Sequence, residues 1–149
     1  MQRVFSVVLA AWAGSLWTVC GVVAPSLFAV IPERHLAGQV AGHFFRLEAW
    51  LGLVCGSIAW LLMWRMRCAK RADYLLLAAA VIAPLISELV LRPMMDAARS
   101  VADTSRFGML HGGSALLFLV ACVASLLLVW RAAASPKHLN GQPGSTISG

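Results

Sequence analysis

Four apolar stretches, residues 4–31, 47–64, 74–91 and 107–130, divide this chain, and the charged residues fall almost wholly between them. A helix rises about 1.5 Å per residue and the hydrocarbon of a bilayer is roughly 30 Å thick, so about 17–25 apolar residues suffice to cross it. All four stretches meet that length. Composition points the same way: 60% of the 149 residues are hydrophobic and 12% are charged, whereas soluble domains are about 45–50% apolar. An ordinary soluble domain is excluded, and so is disorder for the bulk of the chain, because disordered segments are poor in apolar residues and rich in charge.

The predicted fold is therefore all-α: an integral membrane protein forming an antiparallel bundle of four transmembrane helices within residues 1–133. The residues from 134 to 149, rich in Ser, Gly and Pro, lack the apolar content that offsets ordering entropy and are expected to form a disordered cytoplasmic tail. Arg3 ahead of an apolar run, with Ala11-Trp12-Ala13 after it, imitates a signal peptide. Cleavage there leaves only residues 4–10 as its apolar core, so residues 4–31 are read as the first span.

Counting Lys and Arg on alternate sides sets the orientation. Arg3, Arg65, Arg67, Lys70, Arg71, Arg131 and Lys137 share one side with Asp73, which nets 7 − 1 = +6. Arg34, Arg46, Arg92, Arg99 and Arg106 share the other with Glu33, Glu48, Glu88, Asp96 and Asp103, which nets 5 − 5 = 0. The expectation is a multi-pass protein of the inner membrane, with both termini cytoplasmic. The formal charge of +6 is then topological, and no nucleic-acid partner is expected. The lipid bilayer is the expected partner, with a membrane protein or a second copy of the chain beside it. Four cysteines occur without a C-x-x-C pair, so Cys20, Cys55, Cys68 and Cys122 are expected to be free thiols.

Residues 33–46 are expected to extend the second helix beyond the membrane. Met94, Met95, Ala98, Val101 and Ala102 lie at helical spacing opposite Asp96, Arg99 and Asp103, which predicts a separate short helix on the outer surface over residues 94–105. Membrane helices pack through small residues. On that rule the inward stripes are Ala10, Gly14, Thr18, Gly21 and Pro25 on the first helix, and Glu48, Gly52, Cys55 and Ala59 on the second, with Gly56 at its edge. Pro84, Glu88 and Arg92 share a face of the third, and Gly108, Gly112, Ala115 and Cys122 align on the fourth with His111 at the margin. The six tryptophans are expected mostly in the interfacial belt or facing lipid.

Glu48, Glu88 and His111 thus fall on packing faces, about 24, 21 and 28 Å from the cytoplasmic ends at about 1.5 Å per residue. His43 and Arg46 fall opposite Glu48 and are expected to reach for headgroups. Without Glu88 the third span would be only residues 74–87, so its carboxyl must enter the membrane or its boundary. Charged groups there are costly and are taken as functional candidates with a partner; Arg92, one turn on, stands in the favourable Glu-before-Arg order. The site candidates are Glu48, Glu88, Arg92 and His111, binding an ion, proton or small ligand. The same residues serve equally in a structural reading, with the charges only fixing helix ends and register.

A second reading takes Met94, Met95, Met109 and His111 as soft and borderline ligands near the outer surface, for copper or haem. Neither a nucleotide loop, an H-E-x-x-H pattern nor a Ser-His-Asp spacing is present, which leaves no catalytic residue to name and leans away from an enzyme.

Arg92-Pro93-Met94-Met95-Asp96-Ala97-Ala98-Arg99 and Phe107-Gly108-Met109-Leu110-His111-Gly112-Gly113-Ser114 resemble the signature of the bacterial membrane family called domain of unknown function 4149, related to eukaryotic transmembrane protein 205. Trp12-Ala13-Gly14-Ser15-Leu16, Val23 to Phe28 and Ala37 to Phe45 resemble the opening and the second-helix entry of that family. The resemblance runs from about Trp12 to Trp130 and implies a four-helix membrane protein without an assigned reaction. The layout is more distantly similar to the copper-resistance D and membrane protoporphyrinogen-oxidase families. Of His35, His43, His111 and His138, only His111 lies in a span on a packing face, so a bis-histidine haem site does not carry over.

Overall fold

The computed structural model describes residues 2–67 and 69–134, and among these all regular structure is helical. The elements are α1 (Gln2–Thr18), a π-helical turn (Val19–Val23), α2 (Ala24–Val30), α3 (Arg34–Met66), α4 (Arg71–Ile86), a second π-helical turn (Ser87–Leu91), α5 (Arg92–Ser100) and α6 (Thr104–Ala134). The π turns join their neighbours without a break, which leaves four helices long and apolar enough to cross a membrane: Arg3–Val30, Arg34–Met66, Arg71–Ser100 and Thr104–Ala134. Cys68 and the tail beyond residue 134 lie outside the described residues.

Connections as short as residues 31–33, 67–70 and 101–103 force each long helix antiparallel to the one before it. α1 packs against α3 and α6, and α4 packs against the same two, so the helices form a closed ring. At the end bearing the N-terminus, Arg131 of α6 pairs with Asp73 of α4. The Asp73 carboxylate also accepts the Lys70 backbone N–H at 2.8 Å, which caps α4. The opposite, distal end carries the 31–33 and 101–103 connections.

Each π turn sits just before a proline, Pro25 or Pro93. Proline lacks an N–H and its ring collides with the carbonyl four residues back, and a wider turn relieves both without ending the helix. For this reason the outer helix expected as a separate element over residues 94–105 is instead a continuation of the third span through Ser100. The following turn places Ala102 at φ 55°, and the Asp103 carboxylate then accepts the Arg106 N–H at the start of α6.

The core contains Phe5, Leu9, Trp12 and Leu16 of α1, Ala59 and Met63 of α3, Leu77 and Ala80 of α4, and Ala121, Cys122 and Leu128 of α6. The small-residue rule succeeds on the second helix, where Gly52, Gly56 and Ala59 are buried. It fails on the first, whose expected stripe of Ala10, Gly14, Thr18, Gly21 and Pro25 is exposed. Gly108 and Gly112 likewise have open space where a side chain would stand. The reason is complementarity: α3 supplies the small residues, and large side chains of α1 and α4 fill the gap. Trp12, expected at the belt, is 1% exposed, and a Cβ on Gly52 would lie 3.2 Å from its ring.

Candidate functional site

At the distal end, α2, α3, the second π turn, α5 and α6 surround a cavity of about 840 Å³. Glu88 stands on the π turn, whose wider spiral departs from the 100° step of an α-helix. Arg46 Nε of α3 donates to Glu88 Oε1 at 2.6 Å, and Arg92 Nη1 donates to Glu88 Oε2 at 3.1 Å. The same Arg92 nitrogen donates to the Gly42 carbonyl at 2.8 Å. Gly42 permits that approach because a Cβ there would lie 3.3 Å from Arg92 Nη2. One carboxylate is therefore held between two guanidiniums and the triplet carries a net positive charge.

Nearby, Arg99 donates to Asp96 at 3.4 Å and lies 4.7 Å from the centre of the Phe107 ring. Phe107 in turn stacks on His111, with centroids 6.0 Å apart and 12° between planes. Arg34, at the start of α3, also lines the cavity and has no carboxylate partner among the described residues. Ser87 and Ser114 share a hydrogen bond across to α6. The apolar walls are Phe28, Phe45, Phe107, Phe118 and Met95. Charge at the rim and aromatic walls below make an amphipathic cleft.

Of the residues singled out from sequence, Glu88, Arg92 and His111 line this cavity and Glu48 does not. Phe45 faces the cavity, and Glu48 stands three residues further along the same face of α3, 5% exposed and turned toward Ser15 of α1. Arg46, expected at headgroups, reaches Glu88, and His43 lines the cavity. Both follow from the ring, since α3 packs against α1 on one side and α4 on the other and so has two protein-facing sides. Nothing in the sequence pairs Arg46 with Glu88, 42 positions away, except that Arg46 directly precedes the second apolar stretch and Glu88 stands near the end of the third, at the same distal end.

Met95 and His111 line the cavity, whereas Met94 and Met109 are exposed, Met109 by 71%. Among the described residues no group of three or more His, Cys, Asp or Glu is placed to hold a metal ion. Cys20, Cys55 and Cys122 are free thiols.

Fold and site together define an all-helical protein of four membrane-length helices with a charged, aromatic-walled cleft at one end. Residues 7–103 match the family described as Domain of unknown function (DUF4149), and the chain belongs to that family. The match contains the Arg92 to Arg99 segment and ends before Phe107 to Ser114. Comparison with curated proteins and with solved structures returned no match.

Proposed function

We propose that this chain is an integral inner-membrane protein with both termini cytoplasmic, whose distal cavity binds a small amphipathic anion. The observation that carries the reading is Glu88 clasped by two arginines at the rim of an aromatic-walled cavity of about 840 Å³, within the roughly 300–1,000 Å³ of small-molecule sites. Asp96 is matched by Arg99 and Asp103 by the N-terminus of α6. The lining itself balances, with Arg34, Arg92 and Arg99 against Glu88, Asp96 and Asp103. Arg46, which reaches Glu88 from beside the cavity, leaves one positive charge in surplus, and Arg34 is the lining guanidinium with no carboxylate partner among the described residues, which favours a negative head group. The phenylalanines suit an apolar body.

The test is calorimetric titration of octyl phosphate into the protein in nanodiscs of zwitterionic lipid, with octyl glucoside as the uncharged partner of equal chain length. Saturable binding of the phosphate alone is expected, weakened by about tenfold or more, or about 1.4 kcal/mol, in Arg34→Gln. Equal uptake of both amphiphiles, matching that of protein-free nanodiscs, would leave the structural reading of these charges in its place. The orientation rests on the distribution of Lys and Arg. Reporter fusions after Arg71 and Leu139 should score cytoplasmic and one after Asp103 periplasmic; a periplasmic score at Leu139 contradicts it.

A further inference from the structure

Glu48 is the one described carboxylate that is both buried and without a cation. Glu88, Asp96 and Asp73 each meet an arginine, and Glu33 and Asp103 are exposed. Glu48 is 5% exposed, and its hydrogen-bond contact is Ser15 Oγ at 3.4 Å. Ser15 has a single hydroxyl proton, and that proton already serves the Trp12 carbonyl at 2.8 Å. Ser15 Oγ can donate to a Glu48 carboxylate only by giving up the nearer Trp12 carbonyl, whereas a neutral carboxyl can donate to Ser15 Oγ while that bond is kept. A second polar group is stranded in the same seam between α1 and α3. Trp12 Nε1 is buried without a hydrogen-bond partner and lies against Gly52, one turn from Glu48.

The titratable groups near enough to feel the charge of Glu48 are thiols: Cys20 of the first π turn, Cys55 of α3 and Cys122 of α6. From α4, the run Leu75 to Ile86 contains no titratable residue. No element packed around Glu48 brings a positive charge to it, and an uncompensated carboxylate in an apolar interior is held more cheaply as the neutral acid.

Above Glu48, the rings of Phe45 and Phe118 meet with centroids 4.6 Å apart, and both line the distal cavity. Phe45 precedes Glu48 on α3, and Phe118 precedes Cys122 by one turn of α6. The pair forms a floor between the cavity and the buried acid. We propose that Glu48 is an internal proton-binding site, holding a neutral carboxyl beneath the Phe45–Phe118 floor and exchanging its proton with water of the distal cavity when the rings part. In that step the carboxyl O–H bond breaks and water takes the proton, leaving a carboxylate in the seam that also holds the unpartnered Trp12 Nε1.

The proposal does not depend on what the cavity binds, so failure of octyl phosphate to bind leaves it standing. Infrared spectra of the protein in nanodiscs at neutral pH should show the C=O stretch of a protonated carboxyl. That band should vanish in Glu48→Gln, persist in Glu88→Gln, and move without vanishing in Glu48→Asp, which covers misfolding of the glutamine variant. In D2O the band should shift slowly, and at least about tenfold faster in Phe118→Ala, the factor that about 1.4 kcal/mol of gating corresponds to. A neutral-pH spectrum without a band assignable to Glu48 overturns the site. An exchange rate unchanged in Phe118→Ala overturns the floor.

Discussion

Leucine in place of Gly56 should cost the bundle about 1–3 kcal/mol, the usual range for overpacking a filled core. Gly56 is buried on α3, and a Cβ there would overlap Val81 Cγ2 of α4. Val81 is half-buried, so either its side chain turns into the groove it shares with Trp60 and Ile82 or α3 parts from α4, and both cost packing. Gly112→Leu is the matched control, since nothing stands within 4 Å of a Cβ at that position and outward substitutions usually stay within about 0.5 kcal/mol. Thermal unfolding in detergent should separate the two variants clearly. Equal melting temperatures would mean that α3 and α4 do not meet at Gly56.

The second large effect is expected at Glu88, where stability and binding should move in opposite directions. Glu88→Gln leaves Arg46 and Arg92 facing each other without the carboxylate between them. Breaking a buried ion pair costs about 3–5 kcal/mol, and the half-exposed Arg46 lowers the expected loss to about 2 kcal/mol. Adding Arg92→Gln should restore most of that, because a matched neutral pair replaces a matched charged one. The signs for octyl phosphate differ: Glu88→Gln makes the cavity more positive and should bind it more tightly, whereas the double variant, which keeps the parent's net charge but loses the guanidinium of the triplet that lines the cavity, should fold and bind it weakly. A double variant that folds and binds as the parent does would confine Glu88 and Arg92 to holding helices together.

Much of the architecture is legible in the sequence because crossing a membrane imposes a length. The four apolar stretches match four long helices, and the extension of the second helix back to Arg34 is legible in Pro32 and the residues after it. The part that is not legible depends on which helix faces which. Small residues mark where backbones approach, but only one partner of each contact needs them; Gly52 of α3 accepts Trp12 of α1, so the small stripe of α1 turns outward. The same ring separates Glu48 from Glu88. Sequence places them at nearly equal depth, while the structure faces one toward Ser15 of α1 and the other toward Arg46 and Arg92. Pro93 reads as an end of helix in isolation, and a π turn carries the helix past it.

The central claim is that the distal cavity, rather than the lipid-facing surface, takes up an amphipathic anion, and photolabelling tests it most directly. An alkyl phosphate bearing a diazirine on its chain would be irradiated with the protein in zwitterionic nanodiscs and the adducts located by mass spectrometry. The predicted result is labelling concentrated on α3 near Phe45 and on α6 between Phe107 and Phe118, displaced by excess octyl phosphate and untouched by octyl glucoside. Adducts spread over outward residues such as Trp50, Leu61, Leu119 and Trp130, undisplaced by either amphiphile, would contradict it.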